Sequence, residues 1–115
     1  MNLTSNHVGR VAVVHLFEPR LTYPLLPEFT ATVTTLLVGG SQQILVDLSA
    51  VSYIDSAAIG CLMDFYRKTT ATGGHLALSG VQKRVETMLT MTGAHNFLVL
   101  YQTEADGVRV MGGSA

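Results

Sequence analysis

The aspartate–serine pair Asp55-Ser56 is the part of this chain whose residue types and position are best suited to chemistry. It lies between an apolar segment that ends at Ile54 and a stretch with helical spacing, so the serine is predicted at the start of a helix. A serine there can be the N-cap, accepting a hydrogen bond from an early helix amide. The free amides and the positive dipole end of a helix also tolerate a phosphate. The residues alone therefore leave a capping role and a regulatory phosphoserine both open.

A nucleophilic role for Ser56 is a third interpretation. It requires a base within hydrogen-bond reach, and the segment around Ser56 has no G-x-S-x-G elbow. The chain has four scattered histidines, His7, His15, His75 and His95. No spacing singles out one of them as the base. The single cysteine, Cys61, is predicted to be a small packing residue, and one cysteine supports neither an internal disulfide nor a Cys-rich zinc site.

Two other kinds of phosphate chemistry find little support in the motifs. The P-loop sequence G-x-x-x-x-G-K-[ST] is absent. Asp47, at the end of an apolar segment, invites comparison with a receiver domain. In a receiver domain, acidic partners of this aspartate follow the first buried strand. Here that segment reads Phe17-Glu18-Pro19-Arg20, and its single glutamate does not indicate a magnesium site. Asp47 is predicted to be a polar residue at a strand end, and no metal is expected.

The elements that position these residues alternate along the chain. Apolar, β-branched runs predict strands at 11–17, 43–48, 75–79 and 97–101, with a weaker strand at 3–7. Helical spacing predicts helices that begin near Pro24 or Pro27, at Ser56 and near Val81. The tail from Thr103 is predicted to form a short helix or an extended segment and to fray over its last four residues. This order predicts an α/β domain with a largely parallel sheet and right-handed crossovers.

Length and composition exclude several classes of protein. The 115 residues fit one domain, 1–115, and a chain with 48% hydrophobic and 13% charged residues is not disordered. A net charge of -1 leaves no basic excess for nucleic acid. No apolar run approaches the ~18 residues of a membrane span. The first seven residues lack the features of a secretory signal, so a cytoplasmic location is expected.

Three segments resemble the signature of STAS domains, in particular that of the anti-sigma factor antagonists. Residues 44–60 read ILVDLSAVSYIDSAAIG, which is similar to an apolar strand followed by DLS-x-V-x-[FY]-[IM]-D-S-[ST]-G-[LIV]-G. Residues 73–81 read GGHLALSGV, which is similar to GG-x-L-x-L-x-x-[VP]. Residues 85–93 read VETMLTMTG, which is similar to V-x-x-[LM]-[LF]-x-x-[ST]-G. The resemblance covers nearly the whole chain.

The resemblance implies a STAS-like single domain with a four- to five-stranded, mostly parallel sheet, helices packed mainly on one face, no catalytic activity and no cofactor. Family antagonists bind an anti-sigma factor that is a GHKL-type serine kinase. The kinase phosphorylates the serine of the D-S motif and so ends binding, and a metal-dependent serine phosphatase reverses this. By motif position, Ser56 is the expected phosphoacceptor. The expected partner surface comprises Asp55, Ser56, Ala57, Cys61, Arg20 and Thr22.

The chain departs from the family pattern at two places. Ala57-Ala58 replaces a pair that ends in glycine, and residues 17–24, FEPRLTYP, lack the glycine and aspartate of the usual G-x-L-D loop. These departures keep a second hypothesis open, that of a STAS module that never cycles phosphate and serves as a scaffold or transport-accessory subunit. The sequence leaves the oligomeric state open.

Overall fold

The structure, a computed structural model, describes residues 2–112. Its strands are β1 Leu3–Val8, β2 Val11–Leu16, β3 Arg20–Leu21, β4 Gln43–Asp47, β5 Tyr53–Ile54, β6 His75–Ser79 and β7 Val99–Tyr101. Its α-helices are α1 Leu26–Val38, α2 Ser56–Ala71, α3 Lys83–Thr92 and α4 Glu104–Met111. Apart from Gly112, the residues predicted to fray lie outside the described part. Within that part, no helix is long and apolar enough to cross a membrane.

Five strands form the main sheet, in the order β1-β2-β4-β6-β7. The pairing of β1 with β2 is antiparallel, and the other three pairings are parallel. The predicted α/β fold with a mostly parallel sheet is therefore confirmed. A separate pair of short parallel strands, β3 and β5, joins the segment after β2 to the segment before α2. This pair brings Arg20 opposite Tyr53, close to the start of α2.

The two faces of the sheet are covered unequally. Helices α1, α2 and α3 supply the larger core on one face, where Phe29 and Phe65 pack edge to face with ring centroids 5.2 Å apart. The other face has a smaller core, covered by α4 through Met111. Gly107 allows this close approach, because a Cβ at that position would lie 2.7 Å from a methyl carbon of Leu45. Helices thus lie mainly on one face, as predicted, with one short helix on the other.

The end of the chain differs in detail from the predicted elements. The last strand begins at Val99 instead of residue 97, because Ala94–Asn96 form a 3-10 turn after the left-handed Gly93. The tail is helical, and Thr103, the residue before α4, is its N-cap. The amide of Asp106 donates to Thr103 Oγ1 at 3.1 Å. A side-chain cap satisfies an amide that the first helical turn leaves without a partner.

Candidate functional site

Asp55 caps helix α2 and ties it to the loop that follows β3. One carboxylate oxygen, Oδ1, accepts a hydrogen bond from the amide of Ala58 at 2.8 Å. The other, Oδ2, accepts from the amide of Tyr23 at 2.9 Å. The prediction of Ser56 as the N-cap is therefore wrong. Asp55 has the extended backbone of an N-cap residue, and its side chain reaches the first-turn amide that a cap must satisfy.

Ser56 is the first residue of α2, and its side chain is exposed to solvent. Its hydroxyl makes no hydrogen bond to any residue of 2–112, and the carboxylate beside it accepts hydrogen bonds only from the amides of Tyr23 and Ala58. The amides of Ser56 and Ala57 also donate to no acceptor in that range. The predicted position of Ser56 at the start of a helix is confirmed. Phosphorylation at Ser56 stays a prediction.

A serine nucleophile requires a hydrogen-bonded base, and Ser56 has none in the described chain. His7 Nε2 lies 3.2 Å from Ser41 Oγ, and His75 Nδ1 lies 3.0 Å from the side-chain nitrogen of Gln43. His15 bonds to Glu104. No histidine or lysine within residues 2–112 forms a hydrogen bond with the Ser56 hydroxyl. The geometry thus gives no support to the hydrolase or transferase interpretation.

The loop from Pro19 to Tyr23 lies against the segment that leads into α2. The amide and hydroxyl of Ser52 both donate to Pro19 O, at 2.8 and 3.0 Å, and the amide of Asp55 donates to Leu21 O at 3.3 Å. These bonds bring Arg20 and Thr22 beside the Asp55–Ser56 segment, and their contact with a partner stays a prediction. Arg20 is exposed and Thr22 is half-buried.

Tyr23 is not part of the partner surface expected from the sequence. Its side chain is 71% exposed, although its own amide is fixed by Asp55. A large aromatic side chain held at a rigid backbone position is a typical anchor in protein interfaces. The available signal was its place in the proline-bounded loop before the first long helix, which marks a turn but does not reveal exposure.

Two arginines contact the ring of Tyr53. The guanidinium carbon of Arg20 lies 4.3 Å from the ring centroid, and that of Arg84 lies 5.5 Å from it. These three residues form the arginine–tyrosine cluster. Arg84 was not selected from the sequence, because it stands on α3 and meets β5 only through tertiary packing.

Ala57 and Cys61 are one helical turn apart and are both half-buried against the larger core. Cys61 Sγ lies 3.5 Å from Thr30 Oγ1 on α1. Burial raises the pKa of the Cys61 thiol above its ordinary value, which disfavours the reactive thiolate. These observations agree with the packing role predicted for Cys61. Contact of Ala57 and Cys61 with a partner stays a prediction.

Asp47 is a buried residue at the carboxyl end of β4 that accepts hydrogen bonds from neighbouring segments. It is 8% exposed, and its Oδ1 accepts from the amide of Ser49 at 3.0 Å and from the Ser49 hydroxyl. Its Oδ2 accepts from Ser79 Oγ on β6 at 3.0 Å. The predicted role of a polar residue at a strand end is confirmed. In residues 2–112, no group of three or more His, Cys, Asp and Glu side chains is placed to hold a metal ion.

Residues 2–107 match the model of the STAS domain family. This chain belongs to the STAS domain family. A relative from Thermotoga neapolitana, whose name is that of an anti-sigma factor antagonist homologous to TM1081, is 30% identical over 74 residues. That match covers 64% of this chain and 66% of the relative, so the chain spans slightly less than two thirds of that protein's length.

Solved structures of anti-sigma factor antagonists share the fold of this STAS domain. The TM1081 protein of Thermotoga maritima has a TM-score of 0.85 at 23% identity, covering 95% of this chain and 93% of that one. Unphosphorylated SpoIIAA has a TM-score of 0.84 at 20% identity, covering 99% of each chain. Phosphorylated SpoIIAA from Bacillus has a TM-score of 0.74 at 17% identity, covering 95% of this chain and 98% of that one.

The alanine pair that departs from the family pattern fits the geometry of this STAS domain. Ala58 is fully buried in the larger core, and its amide is the one that Asp55 caps. Alanine is the best helix former, so the first turn of α2 needs no glycine there. The departure leaves the exposure of Ser56 unaffected.

Proposed function

We propose that this STAS domain is an anti-sigma factor antagonist. It binds a GHKL-type serine kinase while Ser56 is unphosphorylated and releases it when Ser56 is phosphorylated. The observation that carries the proposal is the exposed, unpartnered hydroxyl of Ser56 in the first turn of α2. The curated relative supports the family role, and the structures of SpoIIAA in two phosphorylation states supply the precedent for a switch.

The surface around Ser56 has the features of a binding site for another protein. Tyr23 supplies an exposed aromatic side chain, and the Asp55 carboxylate fixes its backbone to α2. Arg20 adds a cation on the adjoining strand. Aromatic residues and arginine are enriched at interface centres because they combine large contact area with directed polar groups. The partner-binding residues Asp55, Ser56, Ala57, Cys61, Arg20 and Thr22 are proposed to lie in or behind this surface.

Phosphorylation changes the charge of this surface without opposing the fold. A phosphoserine adds about -1.5 to -2 charges at pH 7. Both oxygens of the neighbouring Asp55 already accept backbone hydrogen bonds, so this carboxylate adds to the negative charge. The unpaired amides of Ser56 and Ala57 favour an anion in the free protein. Under a closely packed partner, the same charge is desolvated and opposes binding.

The cycle needs two enzymes besides this protein. The kinase transfers a phosphoryl group from ATP to Ser56, and a metal-dependent serine phosphatase removes it by hydrolysis. We propose a cytoplasmic location, where ATP and the sigma factor are both present. The STAS domain itself is proposed to be non-catalytic.

Binding measurements on Ser56 variants test the proposal. The serine kinases of GHKL type encoded in the same genome are titrated calorimetrically with wild type, Ser56→Ala and Ser56→Asp. We expect Ser56→Ala to bind like wild type and Ser56→Asp to bind about 30-fold to several-thousand-fold more weakly. The estimate takes a penalty of roughly 2–5 kcal/mol for a charge buried without a counter-ion and about 1.4 kcal/mol per tenfold.

The matched control is Ser5→Asp, which adds the same charge at an exposed serine of β1. It is expected to bind like wild type. Circular dichroism verifies that each variant is folded. We expect Ser56→Asp to fold, because a carboxylate near a helix N-terminus is favourable by ~0.3–1 kcal/mol. Equal affinities of Ser56→Ala and Ser56→Asp would reject the switch.

The second candidate is a scaffold or transport-accessory STAS module that never cycles phosphate. The altered loop at residues 17–24 favours it, since the glycine and aspartate of the family pattern are missing there. Intact mass after incubation with the kinases and ATP separates the two candidates. An unmodified chain that still binds a partner would support the scaffold.

A further inference from the structure

The arginine–tyrosine cluster, Arg20, Tyr53 and Arg84, joins three elements at the edge of the molecule that carries Ser56. Arg20 pairs with Tyr53 across β3 and β5, and Arg84 reaches the same ring from the first turn of α3. Both arginines are exposed and Tyr53 is half-buried. Cation–π contact holds a guanidinium near the ring, so the two positive charges are kept close together despite their mutual repulsion.

Neither guanidinium of the cluster has a counter-ion in the part of the chain from residue 2 to residue 112, and neither donates a hydrogen bond there. Of the three other arginines, all exposed, two differ in this respect and Arg10 does not. Arg67 lies 2.7 Å from an Asp64 oxygen, and Arg109 lies 3.7 Å from an Asp106 oxygen. The cluster therefore presents a full set of unused N–H donors, whose fork geometry suits a carboxylate.

The placement of Arg84 also conflicts with the local preferences of a helix. Lys83 and Arg84 are the first two residues of α3, where the positive end of the helix dipole disfavours cations. The acidic residue in this turn, Glu86, comes after them. Residues that break a local rule without a structural gain are expected at functional sites. Here the result is a concentration of positive charge beside the cluster.

We infer that the arginine–tyrosine cluster binds carboxylates of an acidic segment on the protein that covers Ser56. This inference rests on the proposed function, because it assigns the cluster to the same partner surface. The amide of Asp55 donates to Leu21 O, which places Arg20 and Ser56 on adjoining backbone segments. A partner seated on Ser56 and Tyr23 thus meets the cluster at its margin, where electrostatic complementarity fixes orientation and speeds association.

An acidic peptide tests this assignment without the kinase. The isotope-labelled protein is titrated with a short capped peptide of alternating Glu and Ser, and the NMR signals of the arginine and tyrosine side chains are followed. The same titration uses a peptide with Gln in place of Glu, and a third uses inorganic phosphate. We expect saturable shifts at Arg20, Tyr53 and Arg84 with the acidic peptide and none with the Gln peptide.

Matched variants show whether the cluster causes the shifts. Arg20→Gln and Arg84→Gln are each expected to lower the affinity for the acidic peptide by about 1.5- to 5-fold, the range typical of exposed ion pairs. Arg67→Gln and Arg109→Gln remove the same charge elsewhere and are expected to change nothing. Tyr53→Leu should weaken binding, whereas Tyr53→Phe, which keeps the ring, should not. Thermal unfolding verifies that each variant is folded.

The inference and the proposed switch fail in different ways. Shifts spread equally over all exposed arginines, or unchanged affinity in Arg20→Gln and Arg84→Gln, would overturn the inference. Saturable shifts with phosphate but not with the peptide would also overturn it, because the cluster would then select phosphoryl groups. None of these results depends on Ser56. Failure of the switch appears instead as equal binding of the kinase by Ser56→Ala and Ser56→Asp.

Discussion

Asp47 is the last residue of β4 and Asp55 directly follows β5, and each has a serine close behind it in the sequence. At the first aspartate, the carboxylate accepts the hydroxyls of Ser49 and Ser79 and lies almost fully buried. At the second, both carboxylate oxygens accept backbone amides. The hydroxyl of Ser56 has no hydrogen-bond partner in the described chain.

The difference separates serine hydroxyls that hydrogen-bond to a buried carboxylate from one that has no hydrogen bond in the described chain. Release of the Ser79 hydroxyl would leave Oδ2 of the buried Asp47 without its hydrogen bond, and release of the Ser49 hydroxyl would remove one of the two hydrogen bonds to Oδ1; both losses are costly. A hydroxyl beside an already satisfied carboxylate can be modified with little loss. The same residue types thus stabilise the sheet edge at Asp47 and leave an exposed hydroxyl without a hydrogen bond beside Asp55.

The largest effect is expected in phosphorylation by the kinase. Incubation of wild type with a binding GHKL kinase and ATP should add one phosphoryl group, located at Ser56 by mass spectrometry of peptides. Ser56→Ala should abolish incorporation completely, whereas Ser49→Ala should leave it unchanged. Phosphorylation of Ser49 or Ser79 in the folded protein would contradict the difference between the two aspartates, since both hydroxyls donate hydrogen bonds to Asp47.

The next effect concerns the stability that Asp47 provides. Asp47→Ala removes an acceptor of three hydrogen bonds and leaves the fully buried Ser79 hydroxyl unpaired. We expect the free energy of unfolding to fall by about 2–4 kcal/mol, measured by urea denaturation. Asp47→Asn keeps an acceptor and the side-chain shape, and it should lose less. A loss below about 0.5 kcal/mol for Asp47→Ala would contradict the buried structural role.

Removal of the other aspartate should cost less. Asp55→Ala deletes the cap of α2 and the bond to the Tyr23 amide, and we expect a loss of about 0.5–2 kcal/mol in urea denaturation. Asp55→Asn is the matched control, because asparagine is an equally good cap. If Asn and Ala variants were equally unstable, the negative charge of Asp55 would matter more than its acceptor geometry.

Continuous apolar runs and glycine stops were sufficient to predict β2, β4, β6 and the helices between them. The small pair β3 and β5 was not predicted as a sheet, because two-residue strands have no periodicity. The sequence of α4 leaves a short helix and an extended segment both open, because its one short apolar alternation, Val108 and Val110, does not separate them. Its packing on Leu45, which only the fold reveals, favours the helix.

Some residues of the site can be located from their neighbours in sequence, whereas others come together only through tertiary contacts. The D-S motif and its place before a helix located Ser56 and Asp55 from neighbours in sequence. The identity of the cap was wrong, since aspartate and serine are both good caps and the spacing alone does not separate adjacent positions. Arg84 and Tyr53 meet through tertiary contact between α3 and β5, for which the sequence has no local signal.

The smallest predicted effect compares the two serines that follow the aspartates. Ser49→Ala removes a hydroxyl that donates to the Asp47 carboxylate and should lower the free energy of unfolding by about 0.5–1.5 kcal/mol. Ser56→Ala removes an exposed hydroxyl that has no hydrogen bond in residues 2–112, at the first helical position and not at the cap. Its unfolding free energy should stay within about 0.5 kcal/mol of wild type. Urea denaturation of both variants under one set of conditions measures the difference. A greater loss for Ser56→Ala than for Ser49→Ala would mean that Ser56 supports the fold, and the availability of its hydroxyl for phosphorylation would lose its physical basis.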